Sequence, residues 1–376
     1  MGKTTISDLV APAVRELHPY VPGKPIAELE REYGVHDIIK LASNENPLGP
    51  GPRARAAMSA ALTDIGLYPD GSGFELKQRL ARHHDLPLDW ITLGNGSNDI
   101  LVLLAEAFLT PETEAIYAQY CFAVYPIAVQ AVGAKARIAP ALGAAASMPL
   151  GHDLAAMAAL VTPRTRLVFI ANPNNPTGTW LDSKSLAEFL RRLPDSVIAV
   201  VDEAYFEYSR DVDCPDASSW LRELTNLVVV RTFSKAHGLA GLRVGYALSQ
   251  PQVAETLNRL RQPFNVNSVA LAAATAALDD APHVERTVVL NRAGREQLRT
   301  GLQALGLQVV PSAANFVLVD LARPSGPVYE GLLRQGVIAR PLLNYGLPNH
   351  LRITTGTVEQ NRRTLEALTV ILGRRA

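Results

Sequence analysis

Three short polar stretches hold the residues with the most chemical potential: NPNNPTG at 172–178, DEAYFEY at 202–208 and RTFSK at 231–235. Lys235 stands out. Of 36 basic residues only seven are lysines, and Lys235 is the last of them. A chain that otherwise uses arginine for its cations has placed an amine here, and an amine can lose its proton and attack a carbonyl, whereas a guanidinium stays charged. A lysine after a strand is ordinarily a solvated surface charge. Among Ser234, Ala236 and Gly238, burial would lower its pKa and suit it to Schiff-base formation. Asp202 ends the run SVIAVVD. It could cap a strand or pair with an arginine; it could also keep a pyridine nitrogen protonated, because an ion pair in a poorly solvated site favours both charged forms. Tyr205, three residues on, could reach the 3-oxygen of such a ring. Asn175 is a candidate donor to the same oxygen, although its prolines, asparagines and glycine also suit a plain turn.

The segment LGNGSNDIL (93–101) can present backbone N–H groups and a hydroxyl at a helix N-terminus, a phosphate cup built from Gly96, Ser97 and Asn98. The alternative is a strand-to-helix turn capped by Ser97 or Asn98. It is not a dinucleotide fingerprint, since Asp99 stands where the third glycine belongs, and no P-loop occurs. Arg243, eight residues after Lys235, could join Ser234 on one small anion. Arg340 and Arg352 lie far down the chain, the second within the apolar frame HLRITTG. A half-buried arginine needs an anionic partner, either an internal acid or a substrate carboxylate or phosphate. The eight histidines show no metal spacing, and no G-x-S-x-G nucleophile elbow is present.

The elements that must position these groups read as an α/β protein. Apolar runs at 166–171, 196–201 and 227–230 are too short for helices and predict buried strands. Between the first two, SKSLAEFLRRL predicts a helix with Asp182 or Ser183 as N-cap. Strand, helix, strand is the unit of a mostly parallel sheet with helices on its faces, and ligands collect beyond the carboxyl ends of its strands. Each of the three polar stretches follows such a run. After about 262 the texture changes: helices at 265–279 and 284–305, strands at 308–310, 315–320 and 351–354, and a helix near 328–335 predict a smaller α+β domain. The division expected is 1–35 as an arm and part of the small domain, 36–261 as the large domain, and 262–376 as the small one.

Hydrophobic content of 48%, charged content of 19% and a net charge of zero give no electrostatic footprint for nucleic acid or an anionic membrane. Two cysteines make no disulfide framework or metal spacing, the N-terminus lacks a signal-peptide core, and no run of about 18 apolar residues could span a bilayer. A cytoplasmic location is expected.

Taken together, NPNNPTG, DEAY, SK with an arginine eight residues later, and a distal RITTG resemble the pyridoxal-phosphate enzymes of the aspartate-aminotransferase fold. More narrowly, LASNENPLGP (41–50), YPDGSGFELKQRLA (68–81), GNGSNDIL, RTFSKAHGLAGLRVGY and NYGLPNHLRITTG resemble the histidinol-phosphate aminotransferase family, from about Tyr20 to the C-terminus. The resemblance implies fold type I and pyridoxal 5'-phosphate held covalently by Lys235, which then shuttles a proton. Asp202 would pair with the ring nitrogen, and Tyr205 and Asn175 with the 3-oxygen. Gly96, Ser97, Asn98, Ser234 and Arg243 would hold the phosphate, completed by Tyr68 of the partner subunit. Phe122 would stack on the ring, where many relatives carry tyrosine. Arg352 would grip a substrate carboxylate, Asn44 would lie on the substrate side, and Arg340 with Tyr20 of the partner subunit would approach the distal end. A homodimer with shared sites follows. The expected reaction exchanges the amino group of histidinol phosphate with 2-oxoglutarate, in histidine biosynthesis. An aromatic-amino-acid aminotransferase is the alternative, on RQPFNVNS (261–268) and NYGLP (344–348), and a decarboxylase of a phosphorylated amino acid is a third reading. A regulator on the same fold would need a DNA-binding domain and a basic surface.

Overall fold

The three apolar runs form the strands Thr165–Ala171, Ile198–Asp202 and Leu227–Thr232 in the computed structural model, which describes residues 5–373. They lie together in a seven-stranded sheet, ordered Ile91–Gly94, Gly245–Ser249, Leu227–Thr232, Ile198–Asp202, Thr165–Ala171, Glu114–Ala118 and Lys135–Ala139. Gly245–Ser249 runs antiparallel to both its neighbours; the other pairs are parallel. Alternate residues feed two cores, with Val201, Val229 and Leu248 on one face and Val200, Val228 and Ala247 on the other. Burial on both faces is why these strands read as unbroken apolar runs.

The helix Ser183–Arg192 connects two of the central strands. It begins at Asp182, whose carboxylate accepts from the N–H of Ser185 at 2.8 Å, and buries Leu186, Phe189 and Leu190. Arg191 and Arg192 occupy the last turn, where the helix dipole favours positive charge.

A second sheet of four antiparallel strands is ordered Arg340–Leu342, Leu347–Thr354, Phe316–Asp320 and Gln308–Val310. Leu298, Val317, Leu332, Ile353 and Leu368 form its core with the helices Ala281–Ala304, Ser325–Arg334 and Val358–Ile371. Ile39–Lys40 pairs in parallel with Val337–Ile338, and Leu29 packs on Ala42, Leu333 and Ile338. The helix Ser268–Leu278 follows the change of texture at 262 but packs the other way. Its alanines 270, 273, 274 and 277 enter the core of the large sheet with Ala54 and Leu93, because small side chains let the helix Pro52–Ala61 approach closely. The packing changes over between Leu278 and Ala281.

No helix among the described residues is long and apolar enough to cross a membrane. Cys121 and Cys214 are both free thiols.

Candidate active site

The strand ends Ala171, Asp202 and Thr232 lead into one pocket of about 390 Å³, also lined by Ser97, Asn98, Phe122, Asn175, Tyr205, Ser234, Lys235, Arg243 and Arg352. A parallel sheet puts the carboxyl ends of its strands on one edge, so groups distant in sequence converge there. Lys235 lies in the turn after Leu227–Thr232. Its amine donates to the carbonyl of Ser43 at 3.2 Å and sits 5.7 Å from the centre of the Tyr205 ring. Burial lowers its pKa to about 8, and the positive charges of Arg352 and Arg243 push the same way. Lys235 is half-buried and lines the pocket, so its amine is poised to be neutral without being sealed off.

Asp202 ends its strand almost fully buried and accepts from the phenol of Tyr125 at 2.8 Å and from the N–H of Ala204 at 3.2 Å. Burial raises its pKa to about 6; Tyr125, Ala204 and Lys235 all act against the rise. The hydroxyl of Tyr205 accepts from Asn44 Nδ2 at 2.8 Å. Asn44 itself is fully enclosed, bonded through its backbone and side chain to Thr354 and through its carbonyl to Asn315.

Elsewhere along the sheet edge a glycine opens the helix that faces the pocket. Gly96 precedes the helix Ser97–Phe108 at φ +82°, and a Cβ there would lie 2.5 Å from Arg243 Nη2. Only glycine lets the guanidinium approach this helix N-terminus. Neither Ser97 nor Asn98 caps the helix; Asp99 instead accepts from the N–H of Asn95 at 2.8 Å and from Asn265 Nδ2 at 2.8 Å. Arg243 Nη1 donates to Ser234 Oγ at 3.3 Å. Backbone N–H groups, hydroxyls and a guanidinium thus face one small volume, the arrangement that binds a phosphate.

Arg352 is buried in the middle of the four-stranded sheet. It donates to Asn175 Oδ1 at 2.6 Å and to the carbonyl of Ala42 at 2.8 Å, and its guanidinium carbon lies 5.2 Å from the centre of the Phe316 ring. Its Nε has no partner, and no carboxylate pairs with it, among the described residues. Burial lowers its pKa. A buried cation with an unused donor and no internal acid is completed by an anionic ligand.

Tyr20 and Tyr68 stand differently toward the pocket of their own chain. Tyr20, expected from a second subunit, lines the pocket of its own chain, and its ring lies 5.7 Å from the guanidinium of Arg340. Arg340 donates to the carbonyl of Val21 at 2.6 Å, so it holds the N-terminal segment beside the pocket. Tyr68 is 83% exposed and stacks on Phe264 with ring centres 4.8 Å apart, away from its own chain's pocket.

Sequence reasoning missed Tyr125. The available signal was its position three residues after Phe122, just inside the helix Val124–Ala131; the two rings meet edge to face at 6.0 Å. It also missed the support behind the strand ends. Arg231 donates to Glu203 Oε2 at 2.7 and 2.9 Å and to Asp216 Oδ1 at 2.6 Å, tying adjacent strands on the side away from the pocket. Alternation along a strand produces this division: Asp202 and Glu203 point to opposite faces.

The fold and this site define an aminotransferase. The sequence profile of the aminotransferase class I and II family matches residues 36–368, and the chain belongs to that family. Within it, the chain is 57% identical over 356 residues to histidinol-phosphate aminotransferase 2 of Methylococcus capsulatus, covering 95% of this chain and 96% of that protein. It is 54% identical to histidinol-phosphate aminotransferase 2 of Pseudomonas fluorescens, covering 97% and 98%. Among solved structures, histidinol-phosphate aminotransferase from Sinorhizobium meliloti in complex with pyridoxal-5'-phosphate superposes with a TM-score of 0.86 at 28% identity, over 97% of each chain.

Proposed function

We propose that this protein transfers the amino group of histidinol phosphate to 2-oxoglutarate, a step of histidine biosynthesis, with pyridoxal 5'-phosphate as cofactor. One observation carries the reading. A lysine whose pKa burial lowers to about 8 shares a pocket with a buried carboxylate and with Arg352, which has no acidic partner among the described residues. Substrates of this class are an amine and an oxo acid, and both bring anions.

The residues suit the cofactor. Gly96, Ser97, Asn98, Ser234 and Arg243 offer donors for its phosphate, Phe122 offers an apolar face for its ring, and Tyr205 and Asn175 offer polar groups for its 3-oxygen. When bound, pyridoxal phosphate supplies an aldehyde carbon and a ring that takes up the electron pair left at the substrate Cα. Asp202, held by Tyr125 and Ala204, sets a negative charge where a ring N–H is stabilised. Lys235 Nζ, neutral in a substantial fraction near pH 8, would take the proton from the substrate Cα and pass it to the carbon that carried the aldehyde, so that the nitrogen stays with the cofactor when the oxo acid leaves. Arg352 binds the carboxylate of the oxo acid with its fork, and Arg340 with Tyr20 meets the distal or phosphate end.

A homodimer is part of the proposal. Leu62, Ile65, Leu67, Tyr68, Phe74 and Phe264 are all exposed, an apolar surface of the kind that a second copy covers. Tyr68 of the partner subunit then reaches the phosphate cup. The free thiols of Cys121 and Cys214 suit the cytoplasm.

The purified protein, loaded with cofactor and 2-oxoglutarate, tests the substrate. Glutamate formation should show kcat/KM for histidinol phosphate at least about tenfold above that for phenylalanine, since one charge-assisted contact contributes about 1.5–3 kcal/mol. The reverse order would favour the aromatic reading, to which the apolar lining of Val102, Val124 and Ile127 lends support.

A further inference from the structure

We propose that the protein binds a single water molecule where its two sheets meet, held by Tyr208, Asn291, Asn315 and Thr355. Nine buried side-chain polar atoms have no hydrogen-bonding partner among the described residues, and four of them belong to these residues: Tyr208 OH, Asn291 Oδ1, Asn315 Oδ1 and Thr355 Oγ1. All four residues line one cavity of about 10 Å³. Orphaned polar atoms scattered at random would not collect in so small a space.

The chemistry of the four atoms specifies the ligand. Asn291 Nδ2 donates to the carbonyl of Ala314 at 3.2 Å, and Asn315 Nδ2 donates to the carbonyl of Asn44 at 3.0 Å. Those bonds fix which way each amide points, leaving both amide oxygens as acceptors. The hydroxyls of Tyr208 and Thr355 each bring a hydrogen to donate. Two acceptors and two donors are the complement of one water, which gives its hydrogens to the amides and receives from the hydroxyls. The volume matches one water centre. None of the four groups is charged, so the site does not offset the charge of a metal ion.

The position gives the water a task. Tyr208 lies in the turn Phe206–Ser209 beyond the strand of Asp202, Asn291 on the helix Ala281–Ala304, and Asn315 and Thr355 at the ends of strands of the second sheet. One molecule therefore joins three layers. Through Asn315 it stands behind Asn44, whose side chain donates to Tyr205 in the pocket.

A crystal structure of the cofactor-loaded protein, at a resolution that shows ordered water, tests this alongside the same structure of Thr355→Val. That variant keeps the side chain's shape and removes one donor. In the wild type a single peak is expected roughly 2.7–3.2 Å from all four atoms; in the variant the peak should weaken or vanish. The assignment is overturned if the wild-type cavity shows no peak and Tyr208 donates directly to Asn315 Oδ1. It is equally overturned if the peak lies about 2.4 Å from its oxygens, the distance of a hard cation. Should the variant fail to fold, the wild-type map decides alone.

Discussion

The phenol of Tyr125 donates to Asp202 at 2.8 Å across 77 residues of chain. The ring is stacked on Phe169 with centres 4.8 Å apart, so the donor is held against the strand Thr165–Ala171, the neighbour of the one that ends in the carboxylate. Burial works against the charge of Asp202 and this bond works for it. In the proposed site, the charge that Asp202 would set opposite a ring nitrogen therefore depends on Tyr125, which does not line the pocket.

Tyr125→Phe removes that donor without changing the ring. The pKa of Asp202 should rise, and the acid limb of the kcat/KM profile should move to higher pH by about one unit, the worth of one hydrogen bond to a charged group. A limb that stays in place would show that Tyr125 serves packing alone.

Asp202→Asn separates stability from activity. The folded protein holds the Asp202 proton with a pKa of about 6, above the ordinary 3.8, so the stabilising contribution of the protonated carboxyl is full below pH 4 and is lost as the pH rises through 6. In the cofactor-free protein the variant should melt at a higher temperature than the wild type at pH 8, by up to roughly 3 kcal/mol in stability. The difference should shrink toward pH 4. Calorimetry across this range would contradict the assignment if the two proteins kept a constant offset, and activity should be lost in the variant throughout.

Lys235→Ala should lower kcat by at least about 10³-fold while far-ultraviolet circular dichroism stays unchanged. Lys235→Arg should not restore it, because a guanidinium does not give up its proton. In the cofactor-free wild type, labelling by an amine-selective reagent should concentrate at Lys235 and rise through pH 8, well below the range of a solvated lysine. Labelling spread evenly over the lysines would count against a lowered pKa.

Arg352→Lys keeps a charge but loses the fork. The KM for 2-oxoglutarate should rise about tenfold or more, since a paired, charge-assisted contact is replaced by a single one. Steady-state kinetics with an unaltered KM would place the oxo-acid carboxylate elsewhere.

Mixed dimers test the shared site. Lys235→Ala and Tyr68→Phe each weaken a homodimer, but a hybrid of the two holds one site with both wild-type groups if Tyr68 serves the partner. Unfolding and refolding an equimolar mixture should recover activity above the sum of the parents. Recovery that never exceeds that sum would assign Tyr68 to no shared site.

The central strands were legible because burial on both faces leaves an apolar run bounded by polar turns, and the helix 183–192 because Asp182 caps it and its apolar face has helical spacing. Lys235, Asp202, Asn175 and Arg352 were legible through residue type and order. Helix Ser268–Leu278 was misjudged in its partner, since an alanine-rich surface fits either layer and only the facing helix Pro52–Ala61 chooses. Tyr20 is expected from the partner subunit; within one chain the bond from Arg340 to Val21 sets it beside its own pocket, a placement that only long-range contacts decide.

By itself the order of residues determined the chemistry: an amine that can be neutral, a carboxylate three residues before a tyrosine, a glycine turn at a helix start, and an arginine in an apolar strand. These follow from side-chain type and local pattern, which are written in the chain. Tertiary structure alone decided how those groups are tuned, because desolvation and long-range hydrogen bonds depend on neighbours brought from afar. Lys235 reaches a pKa of about 8, Asp202 is held by Tyr125, and Arg352 stands without an acidic partner among the described residues only once both sheets close around one pocket.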